Sequence, residues 1–155
     1  MQDVTGVIGQ YCQGNEPSHH VPYLYTLAGH PEKAAERIRE ITTRLYSPTL
    51  GGLCGNDDCG QLSVWYVFAG MGFYPVNPCG GEFVFGAPQL KKISLSVGDG
   101  RKFTVTAKGL SEKNKYVRRV LLDGKEYDSQ IIRYADIMRG GELTFEMEAS
   151  PRAGK

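Results

Sequence analysis

The sequence predicts an α+β chain with a helical part over residues 1–78 and a β-rich part over residues 79–155. In the first part, short polar clusters alternate with helix-like runs, of which some are apolar and one is amphipathic. From Val76 onward the hydrophobic period changes from helical to alternating, which is typical of strands. Gly98-Asp99-Gly100 and Asp123-Gly124 then supply turns, so we expect a small antiparallel β-sandwich.

Three segments of the first part are predicted to be helical before the last polar cluster. Residues 4–11 are apolar enough for the tail of a helix, which the turn-like residues 13–17 would end. Residues 21–28 form an apolar helical run, and Gly29 is a natural stop. His30 and Pro31 open the clearest amphipathic helix, whose apolar face repeats at helical spacing. That face consists of Ala34, Ile38, Ile41 and Leu45.

The last helical run, residues 62–75, is apolar on nearly every face and therefore predicts a buried helix. Gly70, Gly72 and Pro75 would end it. The alternation of apolar and amphipathic helices is typical of a two-layer helical barrel, in which loops at the ends of the inner helices line one pocket. Three or four helices cannot close such a barrel, so we expect the chain to be part of a larger protein.

Two polar clusters each precede an apolar helical run. Gly14-Asn15-Glu16-Pro17-Ser18-His19-His20 is the first, and Cys54-Gly55-Asn56-Asp57-Asp58-Cys59-Gly60-Gln61 is the second. Because adjacent inner helices of a barrel can start at the same end, we expect the clusters to converge. Carboxylates and amides together can coordinate a hard cation such as calcium. They can also bind sugar hydroxyls and supply the acid or base for glycoside cleavage.

Structural interpretations of the same residues remain open. Asp57 and Asp58 precede a helix, where a carboxylate can act simply as an N-cap without any functional role. His19 and His20 can be core or capping histidines, and Trp65 with its neighbour Tyr66 fits a helix core better than a sugar-stacking platform. A purely structural α+β domain without a ligand is therefore one alternative.

Charge and cysteine content limit the classes of partner. The sequence has 18 Lys and Arg against 17 Asp and Glu without blocks of like charge, so nothing indicates nucleic acid or a membrane surface. No apolar run is long enough to span a bilayer, and the start lacks signal-peptide features. The 4 cysteines allow three disulfide pairings and establish none. A structural zinc site is disfavoured because Cys12 and Cys79 have no cysteine or histidine close in sequence.

Both clusters, with the helix that follows the second, resemble motifs of glycoside hydrolase family 92. The resemblance is carried by Gly14-Asn15-Glu16-Pro17-Ser18-His19, by residues 55–68 and by Gly72-Phe73-Tyr74-Pro75-Val76, and it continues through residues 114–116, 122–125, 136–138 and 140–143. It implies a calcium-dependent, inverting exo-α-mannosidase, with α-1,2-linked mannose of N-glycans as a common substrate. It also implies an N-terminal β-sandwich on an (α/α)6 barrel followed by a β-rich segment, of which this chain would be the end.

The resemblance assigns roles to individual residues. Asp58 would be the general base that activates water, while Asn56 and Asp57 would hold that base and the calcium surroundings. The resemblance also implies that Glu16, His19 and Asp57 bind the substrate. It implies that Asn15, Glu16 and Asn56 bind calcium. The ligand would be a mannose-containing oligosaccharide, and the protein would be periplasmic or secreted.

One departure from the family pattern matters for activity. The family's general acid lies in an upstream Glu-Gly-Asn segment followed by a Trp-Gln pair, which this sequence lacks. Asn56 also stands where some members carry a carboxylate. We therefore expect the chain alone to be inactive and to self-associate through helix faces that lack their neighbours. The alternative is a non-catalytic carbohydrate-binding or scaffolding module.

Overall fold

The computed structural model describes residues 4–151. Its first half contains three helices and a small hairpin, and the second half contains the remaining strands. In order, the first elements are β1 (Val7–Ile8), β2 (Tyr11–Cys12), a 3-10 turn (Glu16–Ser18), α1 (Val21–Leu27), α2 (Pro31–Arg44) and α3 (Gln61–Met71).

The second half forms two sheets and one short helix. Its elements are β3 (Phe73–Tyr74), β4 (Glu82–Phe85), β5 (Lys92–Ser96), β6 (Lys102–Lys108), β7 (Tyr116–Leu122), β8 (Lys125–Glu126), β9 (Ile131–Arg133), α4 (Tyr134–Arg139) and β10 (Gly141–Glu148). The larger sheet has the order β5-β6-β10-β7-β8, and the smaller one has the order β3-β4-β9.

The helices α1 and α2 confirm the predictions made from hydrophobic period. Helix α2 begins at Pro31, whose missing amide hydrogen is harmless in the first turn. Its face of Ala34, Ile38 and Ile41 is buried against the rest of the core, while its charged residues are exposed or half-buried. Gly29 follows α1 with a φ of +84°, a conformation that glycine adopts without cost.

The prediction of a helix tail over residues 4–11 is wrong. Val7 pairs with Cys12 and Ile8 with Tyr11 in an antiparallel hairpin. Gly9, at a φ of +60°, opens the two-residue turn between these strands. Apolar residues around a glycine therefore indicated a hairpin here, not a helix.

The prediction of a buried helix over residues 62–75 is only partly correct. Helix α3 ends at Met71, because Gly72 takes a left-handed φ of +90° and the chain continues as β3. Leu62 and Trp65 are fully buried, whereas Val64 and Val67 are each 46% exposed. An apolar face of α3 therefore lies open among the residues that the structure describes.

The predicted antiparallel sandwich also needs correction. Strands β10 and β6 pair in parallel, with Gly141 opposite Phe103 and Glu146 opposite Lys108. An alternating pattern identifies strands but carries no information on the direction of their neighbours. The predicted hairpins β5–β6 and β7–β8 are confirmed, whereas the sheet of β3, β4 and β9 was missed because its strands have only two to four residues.

The helical and β-rich halves pack against each other. Within the β-rich half, Phe85 of the smaller sheet contacts Phe145 of the larger one, with ring centroids 5.3 Å apart. Thr26 of α1 donates a hydrogen bond to the Phe85 carbonyl at 2.8 Å. The architecture is thus a mixed α+β body. The boundary at residues 78–79 stays a prediction, and the helices of residues 4–151 do not form an (α/α)6 barrel.

Candidate functional site

The two polar clusters meet through a contact between glycine backbones. A Cβ atom on Gly55 would lie 2.9 Å from the Gly14 Cα, closer than real Cβ contacts allow. A Cβ on Gly14 would lie 2.8 Å from the Thr5 carbonyl oxygen and 3.2 Å from that of Cys54. Only glycine at both positions lets the loops approach this closely. The expected convergence of the clusters is therefore present in the fold.

The contact brings two carboxyl groups together. The carboxyl groups of Asp58 and Glu16 are close enough to share a hydrogen bond when one of them is protonated. This interaction is the largest cause that raises the pKa of Asp58 above its ordinary value. Partial desolvation and the charges of Glu16 and Asp57 act in the same direction. Glu16 Oε1 is buried without a hydrogen-bond partner within residues 4–151. The pair therefore holds a proton or attracts a cation.

The loop that presents Asp58 has an unusual backbone. Asp58, Cys59 and Gly60 have φ values of +42°, +57° and +86°, so three consecutive residues are left-handed. Such a conformation costs about 1–2 kcal/mol for each residue with a Cβ. Strain of this kind persists where the surroundings hold it in place, and it is concentrated at functional sites.

Asp57 differs from its neighbour Asp58 because both of its carboxylate oxygens are occupied. Oδ1 accepts the backbone N–H of Ser63 at 2.9 Å, and Oδ2 accepts the Ser63 hydroxyl at 2.9 Å. Asp57 therefore caps the first turn of α3, as the structural interpretation of the motif allowed. Its assignment to substrate binding stays a prediction.

His19 lies at the centre of a buried hydrogen-bond network. Its side chain is fully buried, and Nε2 donates to the Gln13 carbonyl oxygen at 2.9 Å. Nδ1 accepts from the Gln61 amide at 3.1 Å, and the His19 carbonyl oxygen accepts from Trp65 Nε1 at 2.9 Å. Burial lowers the pKa of His19, so the ring is neutral near pH 7. Its substrate-binding role stays a prediction, since both ring nitrogens have protein partners.

A pocket of about 230 Å³ opens beside Glu16. Its polar lining includes His20, Gln61 and Tyr74, none of which was among the predicted site residues. Gln61 donates to the Tyr74 hydroxyl at 3.0 Å, so these two side chains form one unit. Tyr74 was predicted to lie at a helix end, although its place in the Gly72-Phe73-Tyr74-Pro75 motif was a usable signal.

The two asparagines assigned to calcium are placed at the surface of the site. Asn15 precedes the 3-10 turn that carries Glu16, and Asn56 lies in the loop between Gly55 and Asp57. Both are exposed. Within the described range, no three His, Cys, Asp or Glu side chains come together in a metal-binding group. The calcium assignments of Asn15, Glu16 and Asn56 therefore stay predictions.

The aromatic residues of α3 divide between core and surface. Trp65 is fully buried and stacks on Tyr46 with ring centroids 5.9 Å apart, which agrees with a core role. Tyr66 is 42% exposed, contrary to its interpretation as core, although its ring also contacts Tyr46 at 4.7 Å.

Comparisons with known proteins point to one family. The family model described as the glycosyl hydrolase family 92 catalytic domain matches residues 1–149. A protein of Arthroderma benhamiae described as an uncharacterized secreted glycosidase is 34% identical over 142 residues, which cover 88% of this chain and 18% of that protein. No helix within residues 4–151 is long and apolar enough to cross a membrane.

Solved structures of Bacteroides thetaiotaomicron proteins are similar over nearly the whole chain. A family GH92 α-mannosidase in complex with mannoimidazole matches with a TM-score of 0.92 and 43% identity, covering 97% of this chain and 20% of that one. A family GH92 inverting mannosidase matches with a TM-score of 0.85 and 39% identity, covering 92% and 19%. The chain thus spans about a fifth of these proteins. Its sequence and fold together establish that it belongs to glycosyl hydrolase family 92.

Proposed function

We propose that the chain forms part of the active site of an inverting, calcium-dependent exo-α-mannosidase. The proposed substrates are N-glycan-type oligosaccharides with terminal mannose, in α-1,2 linkage. The observation that carries the proposal is the pair of carboxyl groups of Glu16 and Asp58, held together by the Gly14–Gly55 contact beside an open pocket. Support also comes from relatives described as an α-mannosidase with bound mannoimidazole and as an inverting mannosidase.

Asp58 is the proposed general base. In an inverting glycosidase, a carboxylate takes a proton from water while the water oxygen attacks the anomeric carbon, and the bond to the leaving oxygen breaks. Asp58 is exposed, so water reaches it, and its raised pKa makes it a better base than an ordinary aspartate. Asp57 has no free oxygen for this step because Ser63 occupies both.

The donor set fits a calcium ion. Calcium binds carboxylate and amide oxygens, and the partnerless, buried Glu16 Oε1 is such an oxygen. The side-chain carbonyls of Asn15 and Asn56 lie in the two loops that meet at Gly14 and Gly55. Bound calcium would coordinate two sugar hydroxyls and favour a distorted, oxocarbenium-like conformation of the sugar ring. Further ligands would come from outside these loops, since residues 4–151 contain no acidic or histidine triad.

The leaving oxygen needs a proton from a second carboxyl group. In inverting enzymes the two carboxyl groups stand about 6.5–9.5 Å apart, with water on the opposite face of the sugar. Glu16 lies within hydrogen-bonding reach of Asp58, so it stands too close for this role. The acid therefore comes from outside this chain, and we expect residues 1–155 alone to bind without hydrolysing.

Two further properties follow from the same proposal. The Arthroderma relative is described as secreted, which supports a secreted or periplasmic location. The open apolar face of α3, with Val64 and Val67, and that of α1, with Leu24 and Leu27, would support self-association of the isolated chain.

The test is mannose release from an α-1,2-mannobioside by the longest polypeptide that the gene encodes, with and without a calcium chelator. Release that stops with the chelator and in Asp58→Asn would support both base and metal. Folded protein that binds methyl α-mannoside but releases no mannose would contradict the enzyme proposal and favour the carbohydrate-binding module.

A further inference from the structure

The tautomer of His19 determines how the Gln61 amide is oriented. The Gln13 carbonyl oxygen can only accept, so the His19 nitrogen 2.9 Å away, Nε2, carries the ring proton. Nδ1 of the neutral ring is then an acceptor, and it takes a hydrogen bond from the Gln61 NH₂ group at 3.1 Å. If the Gln61 amide were turned the other way, its oxygen would face the lone pair of His19 Nδ1, which is repulsive.

The second hydrogen of the same NH₂ group goes to Tyr74. Gln61 Nε2 donates to the Tyr74 hydroxyl at 3.0 Å, so both amide hydrogens are used. The Gln61 carbonyl oxygen remains as an acceptor. The Tyr74 hydroxyl accepts from Gln61 and keeps its own proton, because burial raises the pKa of Tyr74. It remains a donor.

Both side chains line the pocket beside Glu16. Trp65 Nε1 donates a hydrogen bond to the His19 carbonyl oxygen at 2.9 Å, which holds the His19 backbone in place. We propose that His19, in its Nε2–H form, orients Gln61 so that the Gln61 carbonyl and the Tyr74 hydroxyl together bind one hydroxyl of the sugar. The hydroxyl donates to Gln61 and accepts from Tyr74. This inference rests on the proposed function, since it takes the ligand to be a mannoside.

The orienting role of His19 is testable by imidazole ¹⁵N NMR on the chain. The wild type is expected to show His19 as the Nε2–H tautomer at pH 7. Gln61→Glu replaces the NH₂ donor by an oxygen facing Nδ1, so His19 should become doubly protonated at the same pH. Gln89→Glu is the matched control, because Gln89 is a half-buried glutamine that donates to the Ala87 carbonyl and is not among the residues that line this pocket. An Nδ1–H tautomer in the wild type would overturn the inference.

The hydroxyl-binding role is testable by the affinity of the longest gene product for methyl α-mannoside and its monodeoxy analogues. Tyr74→Phe should weaken binding of the parent sugar by about tenfold. One monodeoxy analogue, the one that lacks the bound hydroxyl, cannot form the hydrogen bond to Tyr74. Its affinities for the wild type and for Tyr74→Phe should therefore agree within about twofold. Tyr116→Phe, which loses a hydroxyl bonded to Glu36 outside the pocket, should behave as the wild type.

The outcomes separate the two proposals. Mannoside binding by the wild type that Tyr74→Phe leaves unchanged would overturn the role of the Gln61–Tyr74 pair and leave the mannosidase proposal standing. No mannoside binding by the folded wild type would overturn the mannosidase proposal and this inference together.

Discussion

Asp58 and Asp123 both have a left-handed backbone conformation in a turn, but their side chains have different surroundings. Asp123 has a φ of +51° and precedes Gly124, just as Asp58 has a φ of +42° in a run that ends at Gly60. The Asp123 carboxylate accepts the Glu142 N–H at 2.8 Å and contacts Arg139 at 3.3 Å. The Asp58 carboxyl instead faces another acid, Glu16.

The Asp123 turn stabilises the fold, whereas the Asp58 turn is proposed to hold a reactive carboxyl group. At Asp123 each oxygen meets a donor, so the turn between β7 and β8 is hydrogen-bonded to the start of β10, which stabilises the folded state. At Asp58 the nearest partner repels the charged form, so the arrangement costs stability unless a proton or cation is present. The unfavourable charge environment, together with the strained backbone, therefore supports the role proposed for the Asp58 loop.

The largest expected effect is on activity. Asp58→Asn should lower the rate of mannose release by about 10²–10⁴-fold, because the residue proposed as general base can no longer take a proton. Asp123→Asn should leave the rate within about twofold. The measurement is kcat on an α-1,2-mannobioside for the longest gene product. Equal losses in the two variants would contradict the comparison.

The same pair of variants differs in stability with pH. The pKa of Asp58 is raised in the folded state, so its contribution is favourable below the unfolded value of about 3.9 and is lost as pH rises. Asp58→Asn should therefore be at least as stable as the wild type at pH 7, and this advantage should shrink toward pH 4. Urea unfolding at both pH values measures it, and destabilisation at pH 7 would argue against carboxyl repulsion.

The second largest effect concerns the glycine contact that holds the Asp58 loop. Gly55→Ala places a methyl group 2.9 Å from the Gly14 Cα, so the loops must separate, at a cost of about 1–3 kcal/mol. Calcium and mannoside affinity should fall with it. Gly51→Ala is the control, because a Cβ there meets nothing within 4 Å. Thermal unfolding and calorimetric titration of both variants distinguish a local from a general effect.

Sequence reasoning predicted the placement of the loops better than their internal roles. The repeated order of polar cluster and apolar helix was enough to predict that residues 14–20 and 54–61 meet. The residue pattern alone could not separate Asp57 from Asp58, although the family resemblance assigned them different roles. The left-handed φ of Asp58 decides which carboxylate turns back onto Ser63 and which faces Glu16. The predicted helix over residues 62–75 did not place Tyr74 at the pocket, which it reaches only because α3 stops at Met71. The Gly72-Phe73-Tyr74-Pro75 motif was the signal that could have identified it.

The fold shows the same division between local and distant information. The period of α2 and the Asp123-Gly124 turn are local signals, and both predictions were confirmed. The insertion of β10 between β6 and β7 depends on contacts far apart in sequence, such as Leu143 with Val105, and alternation alone does not specify them.

A smaller effect is expected when the structural turn is weakened. Asp123→Asn keeps an oxygen for the Glu142 N–H but loses the charge that attracts Arg139, so the free energy of unfolding should fall by about 1 kcal/mol or less. Denaturant unfolding in low and high salt measures it. A loss that persists unchanged in high salt would show that the hydrogen-bond geometry, and not the charge, matters at this turn.

The last expected effect is the pH dependence of stability contributed by His19 beside the site. Burial lowers its pKa, so the unfolded chain binds a proton more readily, and stability should decline as pH falls below about 6.5. One such proton contributes at most about 1.4 kcal/mol per pH unit. His19→Gln should flatten the slope of the unfolding free energy between pH 7 and 5. An unchanged slope in His19→Gln would mean that the buried ring accepts a second proton in the folded state. The Gln61 NH₂ group argues against this, because it places a hydrogen where a proton on Nδ1 would have to stand.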